Sequence, residues 1–372
     1  MKKLFMALLL SLSLLLSLAS CDFNPQDLIG KLTNSQDTNS QDTSCQEVPN
    51  QNDKNQETPS EELVYEPTPG VVYEVSEDGT YAKVTGYTGT EATVKIAKEY
   101  NGLPVKTIHE GAFCGNTVIT SVVIPDSVES IGMGAFAWMK NLISIEIPDS
   151  VKNIGESSFQ DCSSLTSLVI GSGVTNIDDY AFYGCYSLET IVVKEGNQKY
   201  HVGGNCLIET ESKTLIRGTN TSVIPADGSV TSIAELAFDR CAGLTSIVIP
   251  DSVTSMDTDV FYQCTGLTSV VIGKGLTEIS ARSFGECTGL TSVVIPDGVT
   301  RIGSLVFFGC ENLAFLVIPK SVTSIGSMTF DNCFALTDIY YTGSEAEWQE
   351  IELGVYDNYG RFNFHYNYVP EN

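Results

Sequence analysis

The sequence predicts a stack of short β-rich coils, wound right-handed, with a parallel sheet on one face and a cap at each end. Three observations predict it. A phenylalanine recurs every 23 residues at Phe113, Phe136, Phe159 and Phe182, and again at Phe238, Phe261, Phe284, Phe307 and Phe330. Five residues before each lies Ile108, Ile131, Ile154, Ile177, Ile233, Met256, Ile279, Ile302 or Ile325, and an Ile or Leu follows each by six. Within a unit, Leu165-Thr-Ser-Leu168-Val-Ile170 alternates apolar and small polar residues with the period of a half-buried strand. Such a unit cannot bury its own apolar edge, and stacking copies lines up Phe on Phe and Leu on Leu around a continuous core. Roughly ten coils at about 4.8 Å each make a rod about 50 Å long.

Lys2 and Lys3, an apolar run over Leu4 to Leu18, then Ala19, Ser20 and Cys21 form a secretory signal over residues 1–20. Leu18-Ala-Ser-Cys21 resembles a bacterial lipobox, which makes Cys21 the acylated first residue of the mature protein, anchored through more than one acyl chain. Residues 21–63 are a lipidated tether: NSQDT stands twice in succession from Asn34, and the stretch holds too few apolar side chains to build a core. As a flexible coil it averages about 35 Å end to end. Cys45 within it reads as an incidental thiol or a partner for an intermolecular disulfide. Residues 64–107 alternate like strands, with turns at Asp78-Gly79 and Thr88-Gly89, and form an N-terminal β cap. Residues 108–341 are the coil stack, in which Pro125, Pro148, Pro250, Pro296 and Pro319 end strands by fixing φ and removing a donor. A longer variant coil occupies about 194–223, with strands over 206–209 and 214–217 across a turn at Glu211 to Lys213. Residues 342–372 close the far end.

The pattern IPDSVESIGMGAFAWMKNLISIEIPDSV and its copies resemble the BspA-like leucine-rich repeats of surface proteins from anaerobic bacteria and some mucosal protists. The interruption GNQKYHVGGNCLIETESKTLIRGT looks like that family's longer coil, and YYTGSEAEWQEIELG like its closing segment. The resemblance implies a leucine-rich-repeat solenoid that binds rather than catalyses. It also implies adherence to extracellular-matrix or plasma proteins of a host, such as fibronectin and fibrinogen, or to other bacterial surface proteins. The implied location is the bacterial outer membrane or cell surface, held by the lipid anchor. An envelope-assembly component and, less favoured, a glycan-binding surface protein are the alternatives.

Composition constrains partners. Only 18% of residues are charged, yet 46 acids against 20 bases leave a net charge of -26, which repels nucleic acid. No GxSxG, HExxH, phosphate-cradling or EF-hand pattern is present, and His109, His201 and His365 fall in separate units, so no catalytic residue, cofactor or metal ligand is assigned. Cys162, Cys185, Cys241, Cys264, Cys287, Cys310 and Cys333 share one column three residues after the phenylalanine. They read as small buried corner residues rather than a metal ladder. The outward strand positions carry only Glu146, Glu189 and Asp338 as charges. Val169, Val192, Val248, Val271, Val294 and Val317 line them, with Phe315, Tyr340 and Tyr341 adding aromatic bulk at the C-terminal end, and these residues form the candidate binding face.

Overall fold

A computed structural model describes residues 66–355 and 359–370. The signal, Cys21, the tether and Cys45 lie outside the described residues. The described residues form a β-solenoid of about 12 turns carrying parallel sheets and almost no helix. One side of the coil is a front ladder. Thr93–Lys95, Ser121–Val123, Ser144–Ile147, Ser167–Ile170 and Thr190–Val193 pair in parallel, and a second block continues from Ser246–Ile249 to Asn363–His365. The register is the repeat itself, as in Ser167 against both Ser144 and Thr190. A back ladder of two-residue strands, such as Ser130–Ile131 and Asn153–Ile154, pairs the isoleucine column.

The third side is not a sheet, yet it is bonded as regularly as one. In the coils of Phe113, Phe136, Phe159, Phe238, Phe261, Phe284 and Phe307 the amides at the phenylalanine and two residues either side of it donate to the next coil. Gly111 donates to the Met133 carbonyl at 3.0 Å, Phe113 to Ala135 at 2.7 Å and Gly115 to Ala137 at 2.8 Å. The amides between them close tight turns on their own coil, as Cys114 does on Gly111. This alternation turns the residues two before and two after each phenylalanine into the left-handed region. Glycine fills only some of these places; Tyr180, Leu236, Leu305 and Met328 adopt φ of 56–60° without it. Left-handed φ costs an ordinary residue roughly 1–2 kcal/mol, so the inter-coil bonds and the packing of the phenylalanine override local preference here.

Inside the triangle the phenylalanine rings stack with centroids 5.0–5.6 Å apart from Phe113 to Phe182, and 4.9–6.3 Å apart from Phe238 to Phe330. The core is nonetheless two clusters, which meet in the variant coil. Leu207 belongs to the N-terminal cluster, whereas its neighbours Cys206 and Ile208 belong to the C-terminal one. The expected pair Cys206–Glu209 and Thr214–Arg217 is present and antiparallel, and Tyr200–Gly203 adds a further strand to it. This coil has no phenylalanine corner. Gly218 crosses Phe238 so closely that a Cβ would stand 2.0 Å from Cε1 of the ring.

The front ladder also lacks a strand at this point. Side chains replace it. Asn205 accepts from the Ile191 amide at 3.0 Å and donates to the Glu189 carbonyl and to the hydroxyls of Thr219 and Thr221. Asn220 donates to the Tyr186 carbonyl and accepts from the Gly243 amide, linking the coils on both sides.

Both ends are covered. Val71–Val75 folds antiparallel on Ala82–Tyr87, which in turn pairs in parallel with Leu103–Ile108, and Thr68 bonds both backbone groups of Lys95 at the first front strand. The parallel front ladder therefore starts at Thr93 and runs to His365, beyond the coil stack that the repeat alone delimits. At the C-terminal end a capping box between Ser344 and Glu347 starts the helix Glu345–Gln349, whose Trp348 packs edge-on against Tyr341 at 5.2 Å.

Candidate binding face and coil corner

The front ladder presents Val248, Val271 and Val294 in register, 54%, 48% and 48% exposed, with Ser246, Ser269 and Ser292 beside them. Val192 is exposed and Val169 half-buried in the N-terminal block. Two of the three charged residues expected on this face are engaged by the chain itself. Glu146 pairs with Lys194 at 2.7 Å, and Asp338 pairs with His365 at 2.8 Å. Bonds from Thr337 and then His365 hold the Asp338 carboxyl below its ordinary range.

The C-terminal end departs from the expected face. Tyr341 points inward and is 1% exposed, because it occupies the next position of the alternation after outward-facing Tyr340. Val317 is also 1% exposed. It lies two residues from Phe315 on one strand and opposite Tyr340 on the next, and those rings close over it with Tyr368, centroids 4.7 Å and 4.8 Å apart. The amide of Tyr368 donates to the Tyr341 carbonyl, so the final segment of the chain itself sits on this patch. Phe315 and Tyr340 are half-buried as a result. The free part of the face is the valine and serine ladder.

The cysteine column is buried throughout. The thiols of Cys162, Cys185, Cys264, Cys287, Cys310 and Cys333 each donate to the phenylalanine carbonyl of the preceding coil at 3.0–3.3 Å. Burial pushes Cys185 and Cys287 up to about 12, so neither thiol ionises at neutral pH. Where the column ends, an arginine takes over: Arg361 donates to the Phe330 carbonyl at 2.7 Å, the partner the next thiol would have had. Arg217 does similar work at the variant coil, bonding the carbonyls of Cys185 and Leu236. Its charge is offset by Asp239, wholly buried with no hydrogen bond on either oxygen and raised to about 6 by burial first.

The three histidines stand apart. His109 lies by its neighbour's carbonyl in the first coil, His201 meets Thr210 in the variant hairpin and His365 caps the last front strand. Among the described residues no group of three or more His, Cys, Asp or Glu side chains is placed to hold a metal ion.

One cluster escaped the sequence reading because its members are up to 148 residues apart. At the coil corner beside the cysteines, the Asp161 carboxylate accepts from Trp138 Nε1 at 3.1 Å, Gln160 Nε2 at 3.2 Å and the Tyr186 hydroxyl at 2.7 Å. Gly184 is required here, since a Cβ would stand 2.4 Å from Asp161 Oδ1. Arg240 reaches across the missing corner to the Tyr186 hydroxyl at 2.8 Å. Glu286 accepts from the Tyr262 hydroxyl at 2.8 Å and from Gln263 Nε2 at 2.7 Å. The only sequence signal was irregularity: these corner positions vary where the rest of the repeat does not.

A family model for the BspA-type leucine-rich repeat region matches in six copies over residues 106–227 and 209–337, more than half the chain. The chain belongs to the BspA-type leucine-rich repeat family. Among solved structures, a leucine-rich cell surface protein from Faecalibacterium prausnitzii is 28% identical with a TM-score of 0.52, over 77% of this chain and 96% of that one. A leucine-rich repeat protein from Eubacterium ventriosum is 20% identical with a TM-score of 0.53, over 83% and 96%, and shows the shared fold. The pneumococcal vaccine antigen PcpA, 18% identical over 77% and 82% with a TM-score of 0.53, does the same. Comparison with curated protein sequences finds no match. Leucine-rich-repeat solenoids are typically binding scaffolds rather than enzymes.

Proposed function

We propose that this BspA-type protein is an adhesin-type surface protein that captures other proteins on its front sheet, without catalysis and without a cofactor. The supporting observation is the Val248, Val271 and Val294 ladder, a flat uncharged surface on a rigid scaffold within an otherwise strongly acidic chain. A partner that covers it gains hydrophobic burial without desolvating a charge. The partners are extracellular-matrix or plasma proteins of a host, or surface proteins of other bacteria. Contact with the membrane runs through acyl chains on Cys21, which place the protein at the outer membrane or cell surface.

The test is capture of host and bacterial surface proteins by the full chain, compared with Val248→Glu and Val271→Glu, whose exposed sites tolerate the change. The expected result is a partner retained by the wild type and lost from both variants at unchanged thermal stability. Equal retention by the variants would dismiss the face. Detergent phase separation and an acyl mass on Cys21 test the anchor, and partition of the mature protein into the aqueous phase rejects it. Protease accessibility on intact cells separates adhesion from a role buried inside the envelope.

A further inference from the structure

Coil corners that do the same structural work should carry the same residues, and in the terminal coils the second position after the phenylalanine is glycine or small, as at Gly115 and Gly309. Gly184 keeps that pattern in the coil of Phe182, whereas the same place holds Trp138, Asp161, Arg240, Gln263 and Glu286 in the other coils between. Left-handed φ of 53–58° at all five makes these residues costly there, so their backbone geometry does not explain their presence.

Three of them, Arg240, Gln263 and Glu286, border a groove. With Tyr186, Thr265 and Thr288 they line a shallow groove of about 430 Å3, open to solvent along the corner. Its lining is neutral as a whole, with Arg240 set against Glu286. The polar groups are planar and held in place by one another, and they still have capacity. Arg240 gives one N–H to Tyr186 and turns its buried Nε toward Asp239 at 3.9 Å, which leaves its other terminal N–H groups, and Gln263 uses its amide nitrogen while its carbonyl oxygen remains an acceptor. The Tyr186 ring and two threonine methyl groups supply apolar surface between them. Guanidinium, amide and carboxylate forks beside a ring match pairs of vicinal hydroxyls next to a C–H face, and prior fixation lowers the entropy lost on binding.

We propose that this corner groove is a glycan site, taking a neutral oligosaccharide segment. It is separate from the sheet face and stands or falls without it. A free oligosaccharide and a glycan carried on a protein offer the same chemistry, and the experiment distinguishes them.

The full chain is titrated calorimetrically with cellohexaose, mannohexaose and N-acetylchitohexaose, with sialyllactose as a charged control. Saturable binding of at least one neutral hexasaccharide is expected. Thr288→Trp, which fills the groove without removing a member of the network, should abolish it. Gln263→Ala should weaken it about tenfold or more, and Val271→Glu should leave it unchanged. Thermal unfolding of each variant shows that it is folded. Capture of a high-mannose glycoprotein, lost when its glycan is removed enzymatically, identifies the protein-borne source; binding of free oligosaccharide alone identifies the other. No saturation by any neutral probe up to millimolar concentration, saturation by sialyllactose only, or wild-type affinity in Thr288→Trp would each overturn the proposal.

Discussion

A regular coil and the variant coil at 194–223 are joined to their neighbours by different chemistry. A regular coil such as that of Phe261 is bonded through backbone on its front, back and corner, with its ring stacked at 4.9 Å and 5.3 Å between two others. The variant coil keeps backbone pairing on its back, Thr214–Arg217 with Ser232–Ile233, but lacks the ring and the front strand, and replaces them with Asn205, Asn220, Arg217 and a buried Asp239. Apolar stacking needs only the right residue in a column, whereas the polar join needs specific partners and leaves charge unsatisfied. Two stretches of one repeat thus meet at a seam of a different material, and stability in a linear array depends on how strongly neighbours couple.

The largest effect should come from the regular coils. Phe261→Ala removes a fully buried ring and should cost about 3–5 kcal/mol, read by denaturant unfolding as an earlier transition of the C-terminal block. At the seam, Asp239 is the next lever. Its folded carboxyl titrates near 6, above the ordinary value of 3.8, so the native state holds the proton more tightly than the unfolded one. Its contribution therefore favours folding at low pH and is lost as pH rises from about 4 to about 6. Asp239→Asn should remove that loss, with the stability gap between variant and wild type widening over this window by about 2–3 kcal/mol. A pH-independent gap would contradict the burial of an ionising group.

Asn205→Ala deletes the side chain that stands in for a front strand and should cost about 1–3 kcal/mol. Its signature is qualitative: unfolding should separate into two transitions, one for each core cluster, and a single sharp transition would show that the seam couples as well as a regular coil. The smallest effect concerns the left-handed corners. Leu305→Gly should stabilise by up to about 1 kcal/mol, and Gly134→Ala, where a Cβ meets nothing closer than 3.8 Å, should destabilise by a similar amount through φ alone.

The period of 23 residues made the interior legible, because stacking demands that Phe, Ile, Leu and Cys recur in column. The variant strands were legible too, through the Lys213 turn, which adopts φ of 58°. The left-handed columns were not, since Tyr180, Leu305 and Met328 carry no turn propensity and are set by the tight corner turns that Tyr183, Phe308 and Asp331 close on their carbonyls. The fate of Val317 and Tyr341 was hidden for a related reason. Alternation alone places Tyr341 inward, but that Tyr368 returns onto Phe315 depends on the path of the last residues. The corner network was invisible because a missing corner is what brings Arg240 to Tyr186 across 54 positions.

The buried thiols carry a last consequence, for how the chain reaches this state. In the folded stack they are shielded and held protonated, so oxidants find nothing to attack. Before the coils close, the same cysteines are ordinary thiols, most of them 23 residues apart, a spacing at which loop closure is cheap. Folding and oxidation are then in a race that only folding can win productively, since a disulfide made early would lock together residues that belong in separate coils. The column thus favours rapid, coil-by-coil closure as the chain emerges, and refolding in a reducing buffer should recover material that refolding under oxidant does not.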